Sequence, residues 1–162
     1  MISLPVMPDS SNPSVVFGNL PSGWLLYALD AANGRYLGKE QIVLNQEEAY
    51  WLKISTAVSY PVIGKPNGEA QTMIDLALGW NMIGVPYESP IPWSAVQVSK
   101  EGNPPVSLDQ AVASNWIQGT FFRWSGSAYE ALTSTSGSSF LPLSGYWAKA
   151  KMAGLQLILP QP

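Results

Sequence analysis

Eleven carboxylates are the side chains best able to do acid–base chemistry here: Asp9, Asp30, Asp75, Asp109, Glu40, Glu47, Glu48, Glu69, Glu88, Glu101 and Glu130. A glycosidase places two of them about 5–9 Å apart across the bond it breaks. In this sequence most stand at expected turns. The adjacent pair Glu47-Glu48 would point to opposite faces of a strand. The expected role is therefore solvated loop charge, and a small carboxylate-dependent hydrolase is kept as a remote alternative. There is no histidine and no cysteine. That removes Ser-His-Asp and Cys-His nucleophile systems and the usual ligands of zinc, haem and iron–sulfur clusters. No cofactor and no metal site is expected.

Two local motifs point to turns. Asp30-Ala-Ala-Asn33-Gly34 offers oxygen ligands without the dense spacing of a calcium loop, and reads as a hairpin turn. Gly18-Asn-Leu-Pro-Ser-Gly23 has the glycine spacing of a phosphate loop, but Trp24 stands where the lysine should be. The net charge of −3 supplies no basic field for a phosphate backbone, so nucleic acid is not an expected partner. Aromatic side chains are more informative. Trp93 and Trp116, with Tyr87 nearby, could form a loop-borne cluster on which a sugar or peptide stacks. The competing reading buries Trp116 under a helix and Trp93 inside a strand, as large aromatics usually are.

The elements that must position these residues are mostly short strands. Fourteen glycines and fourteen prolines interrupt 162 residues, and the aromatics favour strands. Only 12% of residues are charged, against about 25% in an ordinary soluble domain. No apolar run approaches the ~20 residues of a membrane-spanning helix. The first residues lack the basic and apolar regions of a signal peptide.

Segments recur along the chain. Ala49-Tyr50-Trp51-Leu52-Lys53 returns as Gly145-Tyr146-Trp147-Ala148-Lys149, and Met1-Ile2-Ser3-Leu4-Pro5 as Met82-Ile83-Gly84-Val85-Pro86. Leu25-Leu26-Tyr27 is similar to Phe121-Phe122-Arg123, and Pro61-Val62-Ile63 to Leu157-Ile158-Leu159. The spacing between matched anchors widens between Pro86 and Phe121, so the second copy holds an insertion there. In it Ser107-Leu-Asp-Gln110 reads as a capping box opening one short helix near 108–116. Two β-modules follow, 1–64 and 73–162, joined by a turn-rich linker at 65–72. Asn33-Gly34 marks a hairpin, and the strands either side of Gly79-Trp80-Asn81 are expected to pair as another. The expected fold is mainly β, an antiparallel sandwich or barrel-like arrangement. Trp51, Trp80, Asn81, Tyr50, Tyr146 and Trp147 are expected to serve core or turn packing. Lys53 and Lys149 hold matched positions at a sheet rim.

Leu78-Gly79-Trp80-Asn81-Met82-Ile83-Gly84-Val85-Pro86, followed by Ser144-Gly145-Tyr146-Trp147-Ala148-Lys149, resembles a Gly-Trp-Asn … Gly-Tyr-Trp β-repeat of secreted and cell-surface bacterial proteins. The resemblance implies a non-catalytic module outside the cytoplasm. Glu48-Ala49 departs from Ser144-Gly145, and counterparts of Met73–Asn81 do not precede Met1. The first module is thus expected to expose a strand edge and to self-associate or bind another protein through it. A carbohydrate-binding module using residues 87–116 is the second expectation.

Overall fold

The computed structural model describes residues 1–134 and 138–162, and its strands are all short and antiparallel. Strand alternation builds a first core. β1 (Val6–Pro8) leads to a helical turn, α1 (Pro13–Val16), then β2 (Leu25–Asp30), β3 (Arg35–Gly38), β4 (Trp51–Lys53) and β5 (Gly64–Pro66). In β2, Leu26 and Ala28 point inward while Leu25 and Tyr27 stay exposed. The inward residues join Leu4, Phe17, Leu20, Trp24, Ile42, Leu44 and Tyr50 in one apolar cluster. α1 begins where Asn12 caps it: the Asn12 side-chain oxygen accepts the Ser14 N–H at 2.8 Å, and Pro13 takes the first helical position.

A second, larger core lies between two four-stranded sheets. Its elements are β6 (Gln71–Leu76), β7 (Gly79–Ile83), β8 (Ile91–Pro92), β9 (Gln97–Lys100), β10 (Val106–Ser107), α2 (Leu108–Ala113), β11 (Phe121–Trp124), β12 (Tyr129–Leu132), β13 (Ser139–Phe140), β14 (Tyr146–Ala150) and β15 (Leu155–Pro160). The sheet orders are β10-β9-β15-β6 and β12-β11-β14-β7. Ile74, Leu76, Val98, Leu155, Leu157 and Leu159 from one sheet meet Ile83, Phe121, Tyr146, Ala148 and Ala150 from the other. The fold is mainly β, a sandwich of antiparallel sheets in which none closes into a barrel.

The capping box of α2 forms in both directions. The Ser107 hydroxyl accepts the Gln110 N–H at 3.2 Å, and Gln110 Oε1 accepts the Ser107 N–H at 3.1 Å. The helix stops at Ala113 and not at 116, because Asn115 adopts a left-handed conformation (φ 59°) that ends it.

Four local expectations are corrected. β6 and β7 do not pair; the turn between them passes the chain from one sheet to the other. Gly79 takes φ 101°, and the Asn81 amide bonds both the N–H and the carbonyl of Ala77 at 2.9 Å, doing locally what a hairpin ladder would do. Gly64–Pro66, expected at the joint, is strand β5, whereas Pro61–Ile63 is not a strand. Gly64 lies against the Met7 carbonyl too closely for any side chain. The Asn33-Gly34 hairpin turns through four residues, 31–34, with Gly34 at φ 64°. The match of β2 to β11 shifts by one residue: Tyr27 pairs Trp51 as Phe122 pairs Trp147, so Leu26 and Phe121 are the matched inward residues.

The two halves meet through reciprocal contacts. Ile2 bridges Ser144, and Ile83 bridges Glu48. The Ser3 N–H donates to the Leu143 carbonyl at 3.2 Å, and the Gly84 N–H to the Glu47 carbonyl at 2.7 Å. Gly145 abuts Ala49 so closely that a β-carbon on Gly145 would collide with it.

Candidate functional site

Alternation decides which motif aromatics reach solvent. Tyr50 and Tyr146 point inward and are fully buried. Each hydroxyl accepts the backbone N–H five residues upstream, from Asn45 at 2.9 Å and from Leu141 at 2.8 Å. Burial pushes both phenols above the ordinary tyrosine range. Their neighbours Trp51 and Trp147 must then face outward, as successive side chains in a strand do. Trp80 is 41% exposed on the same outer face. These tryptophans are surface walls, whereas Tyr50, Tyr146 and Asn81 hold the fold.

The cluster expected at Tyr87, Trp93 and Trp116 offers no shared exposed face. Trp93 is 4% exposed, lies parallel to Phe140 and edge-on to Phe121, and donates its indole N–H to Asp109 at 2.7 Å. Tyr87 is equally buried; its hydroxyl meets the Glu69 carbonyl at 3.1 Å and Thr72 Oγ1 at 3.2 Å. Trp116 is partly buried against the same core. The insertion therefore folds inward and helps fill the sandwich.

An aromatic groove opens elsewhere, between the halves. Its cavity of about 660 Å³ is lined by Leu29, Ala31, Gly34, Leu78, Trp80, Phe122, Tyr129 and Trp147. Pockets for small ligands span about 300–1,000 Å³. Trp80 packs against Phe122 at 6.2 Å and edge-on to Trp147 at 6.1 Å, and the Lys149 ammonium stands 5.3 Å from the Trp80 ring. Leu78 and Trp80, which have no counterpart in the first half, form part of its wall, and Leu29 stands where the other half has a tryptophan. Trp51 seats against Trp124 at 5.9 Å and Tyr129 at 6.4 Å. The pairings Leu29–Tyr36 and Trp124–Tyr129 occupy matched places, so opposite Trp147 the residue corresponding to Trp124 is Leu29. The smaller side chain leaves the space open.

A second cavity of about 410 Å³ shares Leu29 and Ala31 with the groove and collects Asp30, Glu47, Glu48 and Asp75. Neither lining contains a lysine or arginine. Asp30 is satisfied by the Asn33 amide at 2.9 Å and by Arg35 at 3.0 Å, which, in that order, hold its carboxyl below the ordinary range. Asp75 accepts from the Gln156 amide at 2.8 Å. Burial, then the negative charges of Asp75 and Glu48, hold Glu47 above the usual range. Burial does the same to Glu48, opposed by hydrogen bonding to Asn45 and Tyr50. Glu47 is exposed in a bend and Glu48 half-buried beside it, so no strand separates their faces; the Asn45 side-chain oxygen accepts the N–H of both at 2.9 Å. Asn45, two residues before the pair, was the available signal for that turn. Among the described residues, no three acidic groups stand together as metal ligands.

No family model, no curated protein and no solved structure matches this chain.

Proposed function

We propose that this chain is a non-enzymatic interaction protein, two copies of one β-module at 1–64 and 73–162, that self-associates through the free edge of β4. One observation carries the reading. β14 pairs with β11 on one side and, over five residues, with β7 on the other. β4 pairs with β2, and among the described residues its other side carries only the bridge between Ile2 and Tyr50. The Tyr50 N–H and carbonyl both bond Ile2, each at 2.8 Å. Alternation then turns the Leu52 N–H and carbonyl to that same open side. Such edges take up strands from other chains, with main-chain hydrogen bonds supplying the affinity.

Leu25 and Tyr27, on the neighbouring strand β2, add exposed apolar surface next to β4. Lys53 is not a device that blocks pairing, since its counterpart Lys149 sits in a strand paired on both sides. The resemblance of the Gly-Trp-Asn and Gly-Tyr-Trp motifs supports a place at or beyond the cell surface. Sedimentation velocity at increasing concentration tests the reading. The sedimentation coefficient should rise with concentration, and Leu52→Pro, which removes the outward N–H, should abolish the rise. A single monomeric species up to high micromolar concentration contradicts it.

A further inference from the structure

The groove and the acidic crevice meet at Leu29 and Ala31, so one bound segment can reach both. We propose that they form a single bipartite site for a cationic, apolar protein segment. An aromatic or large aliphatic side chain fills the groove beside Trp147, and a neighbouring lysine or arginine lies over Glu47 and Asp75.

The apolar half of the site is defined by what the other half of the molecule does. Where Trp51 meets Trp124 and Tyr129, the space is filled by rings. The cavity that Trp147 and Leu29 line is open and apolar-walled. A side chain supplied from outside would complete the same packing. A sugar fits less well, because its hydroxyls would lose water against a wall of leucine, alanine and ring carbons with few partners to replace it.

Charge identifies the rest of the occupant. Asp30 has its own cation in Arg35, and Asp75 has one amide donor from Gln156. Glu47, Glu48 and Asp75 have no cationic side chain among the cavity's lining. The repulsion that Asp75 and Glu48 exert on Glu47 is relieved by a positive charge placed between them. On the groove side the Lys149 ammonium stands over Trp80, which is not part of the acidic lining. An anionic segment would meet like charge, so complementarity selects a basic one. The site is separate from the β4 edge, since Trp51, Leu52 and Lys53 line neither cavity.

The test is calorimetric titration of the whole chain with an acetylated, amidated pentapeptide, Gly-Arg-Trp-Arg-Gly. Three controls are titrated alongside it: the peptide with glutamates for arginines, the peptide with glycine for tryptophan, and a soluble cello-oligosaccharide. The basic aromatic peptide should bind, each peptide control should bind about tenfold or more weakly, and added salt should weaken binding. Leu29→Trp, which fills the groove as Trp124 fills the other half, should abolish binding in a protein whose near-ultraviolet dichroism shows it folded. Glu47→Gln should weaken binding without touching the aromatic wall. Leu52→Pro, aimed at the β4 edge, should leave it unchanged, so failure here and failure of self-association are separable. Equal binding of the acidic peptide, full affinity in folded Leu29→Trp, no peptide binding at millimolar concentration, or binding of the oligosaccharide in place of the peptide would each overturn the proposal.

Discussion

Tyr50→Phe and Tyr146→Phe should destabilise the protein by similar amounts, although the two residues belong to different cores. Each substitution keeps a fully buried ring and removes the hydroxyl that accepts the N–H of Asn45 or Leu141, which for Tyr50 also makes a long donation to the Asn45 carbonyl at 3.4 Å. A buried donor left without an acceptor costs about 1–3 kcal/mol. Asn45 and Leu141 are only partly buried, so water recovers some of that loss. The expected cost is in the lower part of the range, about 1–2 kcal/mol for each variant. For a chain of this size about 1 kcal/mol moves Tm by about 2–4 °C, which gives a drop of about 2–8 °C. Urea unfolding followed by tryptophan fluorescence supplies the free energies, and thermal dichroism supplies Tm. Tyr27→Phe is the control, since Tyr27 is 39% exposed and its loss of hydroxyl should stay within about 0.5 kcal/mol. If either buried-site variant behaves like Tyr27→Phe, the two hydroxyls are not equivalent anchors and the matching of the halves fails.

Gly145→Val should cost about 1–3 kcal/mol or more in urea unfolding, because the new side chain has no room beside Ala49 where the halves touch. Trp93→Phe should cost about 1.5–3 kcal/mol by the same assay, since it removes the indole N–H bond to the Asp109 carboxylate. Unaltered stability there would favour a ligand-facing tryptophan. Glu47→Gln should be more stable than the parent at neutral pH. A carboxyl whose folded-state pKa is raised holds its proton more tightly when folded, so its stabilising contribution is fully present below the unfolded value of about 4.3 and is lost as pH rises through the folded value. The advantage of the glutamine variant should therefore shrink on acidification and vanish below about pH 4.3, as read from urea midpoints across pH.

Local chemistry was legible where one residue pattern has one cheap solution. Ser107 and Gln110 can cap only each other's backbone, and the helix opens there. Positive φ at Gly34 turns the hairpin that the sequence marks with Asn33-Gly34. What stayed hidden depended on distant partners. Gly79 and Asn81 make a tight turn under either pairing, and only the presence of β14 and β15 as separate partners sends β6 and β7 into different sheets. The outward face of Trp51 and Trp147 follows from the inward hydroxyl bonds of Tyr50 and Tyr146, which sequence alone does not reveal. The groove was hidden for the same reason: the small Leu29 acquires meaning only when the registers of the two hairpins show that it holds the position equivalent to Trp124.

Hydrogen exchange at the Leu52 amide tests the central claim most directly, because that N–H is turned to the edge through which the chain is proposed to assemble. In dilute solution it should exchange as a solvent-exposed amide. As concentration rises it should become protected in step with the increase in sedimentation coefficient, while the Trp51 amide, turned toward β2, stays protected throughout. A Leu52 amide that remains unprotected in an associated protein would contradict assembly through β4, and one that is protected at every dilution would show the edge already occupied.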